Sequence, residues 1–187
     1  MVALPLLLLL AAAPGEGAAS IAGTWTVASG STLTYHLVHK FHAVEGVARA
    51  VEGKARLAPD GSLQFAVRAR VAAFDSGNSN RDAHMQEVTE AARFPSVTAR
   101  GAAEGLRVDA LPATVELPLQ ATLDLHGVAS ALAVTARVRF ESPDRAEVEA
   151  TFPVSLTAHG VERPSLLFVK VEDRIEIDVK LVLVREP

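Results

Sequence analysis

His36, His39 and His42 recur at every third position. On a helix that spacing would stack three imidazoles on one face, and imidazoles converging on a point can hold zinc. The local pattern is that of a strand, however. Leu33, Tyr35, Leu37, His39 and Phe41 occupy alternate positions, and Thr34, His36 and Val38 lie between them. Alternation places His36 and His42 on one side and His39 on the other, so without a bulge this stretch cannot bring three ligands together. An inward-facing His39 would need a hydrogen-bond partner. A ligand's head group at a cavity mouth could supply it, and so could a backbone carbonyl. A second polar group is Asp75, Arg81, Asp82 and His84. It could serve acid–base chemistry or form a polar lid. In a purely structural role, Asp82 would help start a helix while Asp75 and Arg81 tie down a loop. No serine sits in a nucleophile elbow, and no glycine-rich phosphate loop is present.

These residues hang on a frame of period-two alternation. Apolar residues occupy odd positions from Leu63 to Ala73 and from Val115 to Leu125. The same beat, at even positions, runs through Leu132–Phe140 and Val148–Leu156, and it returns at odd positions over Ile175–Leu183. Glu, Gln, Thr, Arg, Asp and Lys fill most of the positions between. Each run therefore has one apolar and one wet face, as antiparallel sheet covered on one side does. Turn chemistry separates the runs at Ala58-Pro59-Asp60-Gly61, His126-Gly127 and Ser142-Pro143-Asp144. One segment breaks the beat. Asn80 to Ala92 predicts a helix capped by Asn80, with Asp82 in its first turn and Met85, Val88 and Ala92 on one face. Gly77 is expected to supply a positive φ in the loop before it.

The N-terminus stands outside this frame. Leu4 to Ala13 is nearly all apolar, and Gly17-Ala18-Ala19 resembles a signal peptidase site. About ten apolar residues are too few to span a bilayer. Residues 1–19 are expected to be a cleaved export signal, with the domain beginning near Ser20. Without Glu16 the formal charge of −4 becomes −3, and that balance does not suggest a nucleic-acid partner. The chain has no cysteine. Disulfides, a thiolate nucleophile and the acylated cysteine of a lipoprotein are thereby excluded. The expectation is a periplasmic or secreted protein held together by its core, without stable membrane insertion. A homodimer is compatible with the sequence.

Runs of ten or more residues joined in sequence favour an up-and-down barrel of about eight strands over a sandwich. Alanines at inward positions (Ala69, Ala73, Ala121, Ala136 and Ala150) and an aromatic content of 5% leave two outcomes open. The interior is either a ligand-sized cavity or an ordinary core in which larger neighbours fill the space. Trp25 and Phe94 read as core residues or barrel plugs.

Three stretches carry a family resemblance. Leu33 to Gly46 looks like an opening strand that ends in histidine, with a glycine a few residues on. Ser76-Gly77, Arg81-Asp82-Ala83-His84-Met85 and Phe94-Pro95 form a specific middle motif, and Ala121 to Val128 gives a third. Together they resemble the YceI-like family of periplasmic lipid- or polyisoprenoid-binding proteins. The resemblance implies a lipocalin-like all-β barrel with one helix, holding a long amphiphile such as a polyprenyl or quinone lipid; the reading of the residues adds that no catalytic residue and no metal are expected. The expected ligand-binding residues are Leu33, Tyr35, Leu37, His39, Phe41, Phe65, Val67, Leu117, Leu119, Leu123, Phe140, Phe152 and Val154. Asp75, Arg81, Asp82 and His84 are expected at the cavity mouth. The competing reading is a metalloprotein or enzyme built on His39, His84 and nearby carboxylates.

Overall fold

The computed structural model describes residues 21–39, 42–163, 165–166 and 169–187. The expected signal segment and Phe41 lie outside the described residues, as do the side chains of His39 and His42.

The described residues form thirteen strands: β1 (Gly23–Val27), β2 (Thr32–His39), β3 (His42–Ala48), β4 (Val51–Leu57), β5 (Leu63–Arg70), β6 (Phe74–Asp75), β7 (Ser96–Ala103), β8 (Ala113–Leu125), β9 (Val128–Ser142), β10 (Arg145–Ser155), β11 (Ser165–Leu166), β12 (Val169–Lys170) and β13 (Arg174–Arg185). Eleven of them make one antiparallel sheet, and β11 and β12 form a separate hairpin. β13 pairs with β2 over Glu176–Lys180 and with β1 over Leu183–Arg185, so β1 and β2 are two parts of one bent strand. Likewise β3 and β4 pair with β2 and β1, and β6 continues the line of β5 beside β3. Counted this way, eight staves run up and down in sequence order, and the last pairs with the first. The barrel is closed, as the alternation predicts.

The bend in the first stave is a bulge. Residues 28–31 face only Leu181 and Val182 between the flanking pairs Val27↔Leu183 and Thr32↔Lys180. Gly30 takes φ 92° there, a region that favours glycine. Ser31 is buried, and its hydroxyl replaces the missing ladder partner. It accepts from the Val182 amide at 2.9 Å and donates to the Ala28 carbonyl at 2.8 Å.

The helix α1 (Ser79–Val88) is shorter than the predicted segment and is capped differently. Asn78, not Asn80, is the cap. Its side-chain oxygen accepts from the amides of Asn80 and Arg81, both at 3.1 Å. Glu90 takes φ 46° and ends the helical path, so Ala92 lies beyond the helix and is exposed. The alternation from Leu63 also stops early. After Arg70 the chain enters a 3₁₀ turn, Val71–Ala73, which leaves Ala69 and Ala73 packed in the wall rather than against the cavity. The β8–β9 turn is a two-residue hairpin with φ 55° at His126 and 71° at Gly127, as a type I′ turn requires.

Replacing Ser31 by Ala would leave the part-buried Val182 amide without this partner. That should cost about 1–3 kcal/mol, measurable as a lower urea midpoint with an unchanged slope.

A hollow apolar barrel with one polar mouth

Odd and even positions of the staves differ as the sequence predicts, yet the inward side chains are not uniformly buried. Phe65, Val67, Leu119, Val134 and Phe152 point inward and remain only partly buried, while polar neighbours such as Gln64, Arg68 and Gln120 are exposed on the outside. The reason is a cavity of about 830 Å³ inside the barrel. It falls in the upper part of the roughly 300–1,000 Å³ range of small-molecule sites. Leu33, Tyr35, Leu37, Phe65, Val67 and Leu117 line it. So do Leu119, Leu123, Phe140, Phe152 and Val154. Small side chains at Ala121, Ala136 and Ala150 widen the tube, while two bare positions are covered by aromatic rings. Phe65 faces Gly101 across the ladder and Tyr35 faces Gly46. A Cβ at Gly101 would come within 2.8 Å of the Phe65 ring, and one at Gly46 within 2.4 Å of Tyr35.

One end is sealed. Trp25 is 2% exposed and meets Phe140 edge-on at 5.8 Å, and its indole nitrogen donates to the Ile21 carbonyl at 3.0 Å. Leu57, Leu106 and Val108 pack into the same cluster. Trp25 thus plugs the barrel, as one of its sequence readings had it. Phe94 does not. It lies outside the cavity, against Gly127 and the His126 ring.

The other end carries the polar groups. α1 lies across it, with Asn80, Arg81, His84, Met85 and Val88 facing the cavity. Ser76 is the centre of the loop that leads into α1. Its hydroxyl accepts from Arg81 Nε at 2.8 Å and donates to Asp82 Oδ1, which also accepts from the Ser76 amide at 3.1 Å. Asp75 accepts from the Gly77 amide at 2.8 Å, and Gly77 has the positive φ expected of it. Asp75, Arg81 and Asp82 therefore hold this loop, and Arg81 alone of the three also borders the cavity. His84 borders it too, with Glu87 3.3 Å away. Asp82 enters the electrostatics through Tyr35. Burial, then the Asp82 carboxylate, push the Tyr35 hydroxyl above its ordinary pKa, against the smaller opposing effects of Arg81 and a Ser76 hydrogen bond.

The other histidines with described side chains do not join this group. His36 points outward, 2.9 Å from Asp178 and 3.8 Å from Glu45. His126 and His159 form a strap at the mouth that the spacing arguments did not find. His126 donates from Nδ1 to the His159 carbonyl at 3.0 Å, and its Nε2 lies 3.2 Å from Glu90 just past α1. The buried His159 ring is held by the Val128 carbonyl and by Ser130, both at 3.0 Å. No signal in the sequence distinguished His126 from an ordinary turn residue. Among the described residues no group of three His, Asp or Glu converges as a metal site would, and no helix is long and apolar enough to cross a membrane.

A closed eight-stave antiparallel barrel with a single α-helix among the described residues and an apolar hollow along its axis is a lipocalin-like fold, wide enough to hold one small molecule. A YceI-like domain matches residues 25–183, and the chain belongs to the YceI-like family. Solved structures agree on the fold. A polyisoprenoid-binding domain from Saccharophagus degradans superposes with a TM-score of 0.72 at 17% identity, covering 88% of this chain and 99% of its own. BcnA of Burkholderia cenocepacia gives 0.64 at 18%, covering 81% and 95%. A YceI protein of Campylobacter jejuni gives 0.61 at 13%, covering 80% and 89%. A search of curated proteins found no match.

Tyr35 is the sole tyrosine, so ultraviolet absorbance titrates it alone. The fold holds its proton more tightly than the unfolded chain does, so stability should fall as pH rises past the ordinary tyrosine value of about 10. Arg81→Gln should move the titration to higher pH than wild type and Asp82→Asn to lower pH. A wild-type titration at the ordinary value would contradict this mouth geometry.

Proposed function

We propose that the protein binds a long-chain amphiphile within the barrel: an isoprenoid, a quinone or a fatty-acid-like molecule. It carries, stores or sequesters that molecule and performs no chemistry on it. One observation carries the reading. The cavity is continuous from the Trp25 plug to α1, and its wall is almost wholly apolar. An empty tube of this kind forgoes packing contacts that a hydrocarbon would restore. Each methylene buried contributes about 0.8 kcal/mol, before ordering costs. The name of the Saccharophagus degradans domain supports an isoprenoid. The placement of His36 outside and His84 at the rim favours binding over metal or acid–base chemistry. The leader-like residues 1–19 support a periplasmic or secreted location.

Native mass spectrometry of protein purified from a bacterial host should show a co-purified lipid, recoverable by organic extraction. Clean apo protein that also ignores added quinones and fatty amides would contradict the proposal. Leu119 faces the middle of the tube, so Leu119→Trp should empty the barrel while the protein stays folded. In a filled interior the same change would only overpack, costing about 1–3 kcal/mol.

A further inference from the structure

We infer that the tail enters first and that the Trp25 plug measures its length, an inference that rests on the lipid-binding reading. The two ends of the cavity differ in what they offer a polar head. At the α1 end Asn80, Arg81 and His84 border the space. At the plug the indole N–H is already spent on the Ile21 carbonyl. Lys54 reaches the lining in that half, but its ammonium pairs with Glu186 at 2.6 Å and its side chain is 65% exposed. A head group driven to the plug would be desolvated without a partner, whereas a head at the mouth keeps both water and donors.

The plug also sets a limit. On four adjacent staves the lining spans the same eight-residue rise: Leu117–Leu125, Leu132–Phe140, Val148–Leu156 and Ile175–Leu183. At about 3.4 Å per residue and a tilt near 40°, the tube is about 20 Å deep. A fully extended chain advances about 1.2 Å per bond, so about sixteen bonds reach from the mouth to the indole. The plug is packed in place: Trp25 is 2% exposed, meets Phe140 edge-on and opposes Ala55 across the ladder. A longer tail must fold back or protrude.

Trp25 is the sole tryptophan, and its fluorescence reports the plug directly. The probe is a series of ω-bromo fatty acids from about ten to about twenty carbons, titrated into delipidated protein. Affinity should rise by up to about fourfold per methylene and level off near sixteen carbons, and bromine quenching of Trp25 should set in at the same length. Ala55→Leu thickens the plug and should move the affinity break to shorter tails. Trp25→Leu opens the plug and should move it to longer ones, and thermal unfolding would verify that both variants are folded. Binding with a break that ignores both substitutions, or quenching that is independent of length, would overturn the ruler alone. Absence of binding for every tail would overturn the ruler together with the proposed function.

Discussion

Closure of the sheet is the constraint on which the rest depends. One edge of β13 pairs with β10, and the other serves β2 along its first half and β1 at its end; this double pairing joins the last stave to the first. Once eight staves are closed, their hydrogen bonds fix the girth. The side chains must then fill whatever space results, and Ala, Val and Leu do not. Most protein interiors pack as densely as organic crystals. This one keeps side chains such as Phe65 and Leu119 partly bare toward its own centre. The hollow follows from girth and from the size of the inward side chains, among them Ala121, Ala136 and Ala150.

A hollow barrel without disulfides needs stability from elsewhere. Three clusters supply it: one at the plug around Trp25 and Phe140, one in the wall around Ala48 and Ala69, and one near the mouth around Tyr35, Val154 and Val161. Buried polar side chains are satisfied among the described residues. The outer ion pairs, such as Arg68–Glu52 and Arg139–Glu147, are exposed and contribute little. Any molecule that fills the cavity adds to the stability of the native state by mass action.

Much of this was legible in the residues, because period two is a strong signal when one face is apolar and the other charged. The runs at Val115–Leu125, Leu132–Phe140, Val148–Leu156 and Ile175–Leu183 became β8, β9, β10 and β13 with their faces as read. Eleven of the expected lining residues border the cavity. His39 and Phe41 fall where the side chains are not described. Less was legible where local chemistry competes. Asn78 and Asn80 are equally good caps by type, and only the backbone path into α1 selects Asn78. Ala73 fits the beat of β5 but falls in the 3₁₀ turn that replaces it. Ser31 and Gly30 look like an ordinary turn, although they bend a continuous stave. Asp75 and Asp82 brace the loop at Ser76 and Gly77 from either side, a role that sequence proximity to Arg81 and His84 could not separate from the cavity edge.

The most direct test of the central claim is a crystal structure of the protein as purified from a bacterial host. Continuous elongated electron density along the barrel axis, beginning beside Tyr35 and α1 and running toward Trp25, is the expected result. An interior in which Phe65, Leu119 and Phe152 close on one another and leave no space would contradict the account.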